Sequence, residues 1–181
     1  FPCQKGGPFK KWYGNNHFLV NWENDGRELL EYAGKLYGSP TRTIKNIPFY
    51  FKEGMTWSTI SSSSLSMRYS PKGFISETKG AICFADSHED LLKFLGFCNS
   101  TLVNHFLAAL SPTLDYHEGP VGRLPITKLL PLEVGNNVDL LISIAKIDLD
   151  AYEFSWDFKS FPLINLDFHQ PTIKGNYQKL R

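Results

Sequence analysis

Around Ser87 the spacing of apolar residues changes period, and this switch constrains the fold of the chain more than any other feature of its sequence. Before it, from Pro48 to Phe84, apolar and aromatic residues come in short pieces: Phe49-Tyr50-Phe51, Thr56-Trp57-Ser58-Thr59-Ile60, Met67-Arg68-Tyr69, Phe74-Ile75 and Ala81-Ile82-Cys83-Phe84. Gly54, the serines from Ser61 to Ser64, Pro71-Lys72-Gly73 and Gly80 separate them, so the pieces read as short strands joined by tight turns. After the switch, Leu91, Leu92, Leu95 and Phe97 recur at helical spacing behind Ser87 and Asp90, which resemble a capping box. Asn99-Ser100 can cap a second helix through Leu102, Val103, Phe106, Leu107 and Leu110, ended by Ser111-Pro112. The pattern predicts an α+β (mixed α/β) fold: a small, twisted, mostly antiparallel sheet with a helical hairpin packed on it, plus a C-terminal helical segment.

The flanks extend this reading. Phe18-Leu19-Val20-Asn21-Trp22 has strand character, and Asn24 and Asp25 can cap a helix through Leu29, Leu30, Tyr32, Ala33 and Leu36 that Gly38-Ser39-Pro40 stops. Val121 to Ile126 predicts a final edge strand, its Pro125 excluding a central place. A third helix is expected at about 138–145, after Asn136-Asn137, and a loosely held tail from Pro162. The expected division is a first domain over 1–127, an appended helical segment over 128–160 and the tail over 161–181.

Several functions are disfavoured. Beginning at Phe1, with neither a signal-peptide h-region nor an Arg-rich leader, the chain reads as excised from something longer. No stretch approaches the roughly 18 apolar residues of a membrane span, so no membrane partner is expected. Cys3, Cys83 and Cys98 form no CxxC pair and are odd in number, which suggests a reduced, cytoplasmic setting. The histidines fall at no HxxxH or HExxH spacing, so no metal is expected. Glu89-Asp90 and Asp148 with Asp150 read as helix-end and surface charge, and no catalytic residue is expected.

The charge is unevenly spread. The net value is +1, yet residues 1–80 hold 11 Lys/Arg against 6 Asp/Glu, whereas residues 81–181 hold 8 against 12. The basic half is rich in aromatic, amide and hydroxyl side chains: Lys10-Lys11-Trp12-Tyr13, Asn15-Asn16, Arg42, Lys45, Lys52, Trp57, Ser58, Ser63, Arg68 and Lys72. Double-stranded DNA is the partner this mixture fits, because Lys and hydroxyls bind phosphates while Arg and Asn fork onto guanine and adenine edges.

Local strings carry a resemblance. Lys11-Trp12-Tyr13-Gly14-Asn15-Asn16, Val20-Asn21-Trp22-Glu23-Asn24-Asp25-Gly26, Tyr50-Phe51-Lys52-Glu53-Gly54-Met55-Thr56-Trp57-Ser58 and Arg68-Tyr69-Ser70-Pro71-Lys72-Gly73-Phe74 resemble the C-terminal region of PglX-type adenine-specific methyltransferases of BREX phage defence. These are related to large Type II restriction-methylase subunits. Leu95-Gly96-Phe97-Cys98-Asn99-Ser100, Pro112-Thr113-Leu114 and Gly122-Arg123-Leu124-Pro125-Ile126 resemble a frame of target-recognition domains in Type I specificity subunits and TaqI-like methyltransferases, and Phe154-Ser155-Trp156-Asp157-Phe158-Lys159 resembles a further PglX string. Ile147-Asp148-Leu149-Asp150-Ala151-Tyr152 departs from the group, where a more tryptophan-rich string is usual.

The resemblance implies a target-recognition fold whose loops face the DNA major groove, within a parent enzyme that uses S-adenosylmethionine to methylate adenine N6. The chain itself holds no Gly-rich strand-to-helix loop, and Asn46-Ile47-Pro48-Phe49-Tyr50 mimics the family's Asn-Pro-Pro-Tyr element only superficially, since its prolines are unpaired. No cofactor is therefore expected in this chain, and its implied partner is the methyltransferase domain N-terminal to it. Arg68 and Asn16 are the candidates for base edges; Arg42, Lys52, Ser58, Ser63 and Lys72 are candidates for phosphate or mixed contacts. Tyr13 and Trp57 are candidates for stacking or loop shaping, beside Lys11 and Asn15 of the same block. The rival reading is a protein-interaction module that docks a methyltransferase onto other defence components through the acidic half.

Overall fold

The computed structural model describes every residue except 62, 78–79, 112, 114, 127–129, 165–168 and 181. The expected domain boundary after 127 and the motif residues Pro112 and Leu114 lie outside the described residues. The architecture is α+β, as expected, but the strands form two small sheets rather than one.

In the first sheet β3 (Gly54–Ser58) lies between β4 (Met67–Ser70) and β6 (Gly80–Cys83), antiparallel to both. Trp57 stands opposite Met67 and Ala81, and Thr56 opposite Arg68 and Ile82. Because side chains alternate across a pleated sheet, Met55, Trp57, Met67, Tyr69, Ala81 and Cys83 share one face. That face meets α2 (His88–Cys98) and α3 (Thr101–Leu110), burying Leu91, Leu95, Cys98, Val103 and Leu107 in the main core. Both hairpin caps form as the sequence predicts. Ser87 accepts from Asp90 N and Ser100 from Val103 N, relieving amides that a helix start leaves unbonded.

The opposite face of this sheet carries Thr56, Ser58, Arg68 and Ser70. The N-terminal segment around Gln4 to Gly7 lies against it, with Gly7 bonded to Ser58 through both its N–H and its carbonyl. Gly80 is bare of a side chain because a Cβ there would meet the Gln4 carbonyl oxygen at 2.5 Å. Within this cover β1 (Pro2–Gln4) pairs antiparallel with β2 (Phe18–Leu19) and parallel with β5 (Ile75–Ser76), giving the second sheet.

Four local expectations change. The predicted strand at 49–51 is a 3-10 turn, Ile47–Phe49, followed by a loop. The predicted edge strand at 121–126 gives way to the single turn α4 (Glu118–Val121) and a bend, in keeping with a proline that cannot donate to a ladder. The helix expected from Asn24 and Asp25, α1 (Glu23–Tyr37), opens instead on three left-handed residues, Asn24, Asp25 and Gly26, with φ of 51°, 56° and 73°. Gly26 packs on the Trp22 ring so closely that a Cβ would fall 2.6 Å from it. The third helix, α5 (Leu132–Asp150), is longer than expected. Asn136-Asn137 reads as a start in sequence because asparagine favours caps, but packing against α2 overrides it: Val138 lies against Gly96, and Gly135 against Leu92. Within the tail, Ile173–Leu180 forms α6.

A candidate nucleic-acid interface

The Lys11–Asn16 motif is structural before it is anything else. Trp12 sits at φ 72°, a left-handed position costly for an aromatic residue. It is held there by two backbone bonds, its N–H to Met67 O at 3.0 Å and its carbonyl from Tyr69 N at 2.7 Å, which bracket Arg68. Lys11 donates to the Asn99 carbonyl at 2.8 Å, and Asn15 donates to Pro8 O at 3.0 Å. Asn16 accepts from Gln4 Nε2 at 3.1 Å and offers its carbonyl to the Trp156 indole N–H.

This arrangement places both candidates for base edges inside: Arg68 is 0% exposed and Asn16 4%. Asn15, Trp57 and Ser58 are also buried. Trp57 belongs to the core and donates to Tyr116 O at 2.7 Å, while the Ser58 hydroxyl both accepts from Gly7 N and donates to Gly7 O. The reason is the pleat: Ser58 and Arg68 point into the layer that the N-terminal segment seals. That layer is polar and incompletely bonded. All three guanidinium nitrogens of Arg68, Gln4 Oε1, Asn15 Oδ1, Asn16 Nδ2 and Ser70 Oγ lack hydrogen-bond partners among the described residues. Burial pulls the Arg68 guanidinium down to about 10, since removal from water disfavours its charge.

Four candidates remain at the surface: Arg42, Lys52, Ser63 and Lys72. The structure brings two of them together. Phe51 N–H donates to Phe74 O at 2.9 Å and Gly73 N–H to Phe51 O at 3.0 Å, lacing the Lys52 loop to the Lys72 loop. Lys52 also lies over the Phe49 ring, 4.9 Å from its centroid. Arg42, on the 3-10 turn Pro40–Arg42, and Ser63 are not joined to this pair by any described hydrogen bond or ion pair. The exposed rings of Phe1, Phe49 and Phe51 beside the pair carry no role in the sequence reading. The sequence signal for the latter two is the aromatic run Phe49-Tyr50-Phe51, whose composition predicts a strand.

Next to the Lys72 loop lies a cleft of about 400 Å³ lined by Tyr13, Asn16, Phe74, Lys146 and residues 155–157, with Pro71 at its edge. Lys146 at the end of α5 bonds Asp150 at 2.8 Å and also Asp157, and its ammonium lies over the Tyr13 ring, 5.6 Å from the centroid. Ser155 donates to Asp150 at 2.6 Å. Burial would raise the Asp150 carboxyl, but the bonds from Lys146 and Ser155 outweigh it and hold the group below its ordinary value. A depressed carboxylate gives stability that is present above its unfolded value of 3.8 and lost as pH falls through the folded one. Acidification below pH 3.8 should therefore release residues 155–157 from α5. The Trp156 emission reads this directly, by comparison with Trp156→Phe; an Asp150→Asn variant with an unchanged acid profile would show the anchor to be unimportant.

Arg27, Lys93 and Lys146 are paired with carboxylates, whereas Lys52, Lys72 and Arg42 form no ion pair among the described residues. No group of three or more His, Cys, Asp or Glu among the described residues could hold a metal ion, and none of their helices is long and apolar enough to cross a membrane. Neither described cleft is walled by a Gly-rich strand-to-helix turn.

No protein-family model matches the chain. Two curated proteins do. An adenine-specific methyltransferase PglX from Lacticaseibacillus casei (strain Zhang) is 42% identical over 99% of this chain, and an adenine-specific methyltransferase BrxX from Escherichia coli O9:H4 (strain HS) is 36% identical over 98% of it. The chain spans 15% of the length of the first and 14% of the second. The resemblance read from the motifs therefore holds along the whole chain: it is similar throughout to a PglX-type region.

Proposed function

Starting from a chain that matches the PglX type from end to end, we propose that it is the DNA-reading region of an adenine-specific methyltransferase of BREX-type phage defence. In this reading it grips double-stranded DNA, while S-adenosylmethionine and methyl transfer belong to polypeptide outside it. The observation that carries the reading is the laced pair of loops. Lys52 and Lys72 stand exposed and unpaired among the described residues, on two turns fixed to each other through Phe51. Cations held ready but without carboxylate partners fit a polyanion, whose counterions they displace. Arg42 and Ser63 extend the same exposed set, and Lys11 and Tyr13 contribute as partly covered neighbours. Arg68, Asn15, Asn16, Trp57 and Ser58 act in this reading as buried supports of the fold.

In the full-length methyltransferase, Lys52→Ala with Lys72→Ala should weaken binding to specific and random duplexes alike. The slope of log affinity against log salt should fall by about one for each cation removed. Fluorescence anisotropy over a salt series measures both, and an unchanged slope would remove this surface from the DNA contact.

A second reading is supported by α5. Leu140, Ile144 and Ile147 recur at helical spacing and are 59%, 53% and 71% exposed, an apolar stripe on the side of the helix away from α2. Such a stripe fits docking onto protein, and it is compatible with DNA bound at the basic loops.

A further inference from the structure

We infer that the cleft between Tyr13, Phe74 and Trp156 is a stacking site for a single nucleobase. Trp156 is the reason to look there. The residue is 57% exposed, yet its only side-chain polar atom is committed to the Asn16 carbonyl, which pins the indole in the wall of the cleft. A tryptophan placed for the core is covered, and one left loose in solvent is not tied down. An anchored, open ring is a platform.

The wall around it is built. Ser155 holds Asp150, Asp157 holds Lys146, and Lys146 caps Tyr13, so residues on both sides of Trp156 are braced to α5 before any ligand arrives. Preorganisation of this kind lowers the cost of binding. The volume of about 400 Å³ falls in the range of small-molecule sites. Its charge selects the ligand: one ammonium faces two carboxylates, Asp150 and Asp157, so the interior repels a phosphate and accepts a neutral planar ring. The Asp157 carboxylate, 63% exposed at the rim, can accept from an exocyclic amine, which favours adenine or cytosine. Pro71 and Phe74 in the lining are the ends of the turn that carries Lys72, so a base seated here leaves its phosphate on the Lys72 side, outside the cleft. The site also gives a role to the 154–159 string, which the DNA grip leaves unused.

That the base comes from a DNA strand rests on the proposed DNA reading; the base site itself does not. Photolabelling of the full-length protein with 8-azidoadenosine, followed by peptide mapping, tests the site. Labelling is expected on residues 12–16, 71–74 or 154–158, suppressed by excess adenosine and reduced at least tenfold in Trp156→Leu. Phe74→Leu serves as the second variant, with thermal melting of both to show that the fold survives. Label confined to other parts of the protein, or unaffected by either folded variant, would overturn the site. A duplex carrying 8-azidoadenine forms the second arm: label in the cleft assigns the base to DNA, and label there only from the free nucleoside assigns it to a soluble nucleotide. Wild-type protein that takes the nucleoside into the cleft but shows no salt-dependent duplex binding would sink the DNA reading and leave the site standing.

Discussion

Arg68→Ala is expected to destabilise the protein by about 2–5 kcal/mol, the range for emptying a buried site that held a long side chain. The loss should appear in stability and not in the salt dependence of DNA binding. Arg68 is fully buried and its guanidinium has no described acceptor. A charge in that position costs free energy, and the three-methylene stem with its guanidinium is what fills the layer beneath the N-terminal segment. Arg68→Met separates the two effects, because methionine keeps much of the volume and removes the charge. It should be within about 1 kcal/mol of the parent or more stable, as is found when buried charges give way to apolar residues of similar size. Urea unfolding of the three proteins gives the comparison. An alanine variant with native stability and a tenfold or greater loss of site-specific binding would return Arg68 to the base-reading role.

The second large effect is expected at Asn99. Its side chain lies against the outer edge of β4, accepting from Met67 N and donating to Met67 O, each at 2.9 Å, and so performs what a neighbouring strand would. Asn99→Leu leaves the Met67 N–H unpaired in a buried place and takes one of two bonds from Met67 O, which keeps the one from Trp12. At about 1–3 kcal/mol for a stranded buried group, the variant should lose roughly 2–4 kcal/mol. Asn99→Asp retains the acceptor and loses the donor, so it should fall between the two. Equal stability of Asn99→Leu and the parent in denaturant titration would show that the helical hairpin is held on the sheet by its apolar face alone.

These two residues also mark what the sequence discloses and what it hides. The hairpin is legible because its signals are local: Ser87 and Ser100 stand one residue before helical runs whose apolar spacing is regular. The strands β3, β4 and β6 are legible for the same reason, being bounded by glycine, proline and serine. The strand β1 is not, since Pro2–Gln4 pairs with residues as distant as Ile75 and Ser76. Lys52 and Lys72 could be picked out as cations, but exposure could not be told from type. Arg68 and Asn16 carry base-reading chemistry and spend it indoors, because the N-terminal segment covers one face of the pleat and nothing in the local string says which. Asn99 suggests a helix cap in sequence; the cap is Ser100, and Asn99 faces the sheet.

The bracket that Trp12 and Asn99 make around Met67 has one more consequence. An uncovered strand margin invites edge-to-edge addition of a like chain, the first step toward fibrils. Along β4 the outward amides of Met67 and Tyr69 and the outward carbonyl of Met67 are already taken, by a single left-handed tryptophan and one amide side chain. Ribbon-like polymerisation through this margin is closed to the folded molecule.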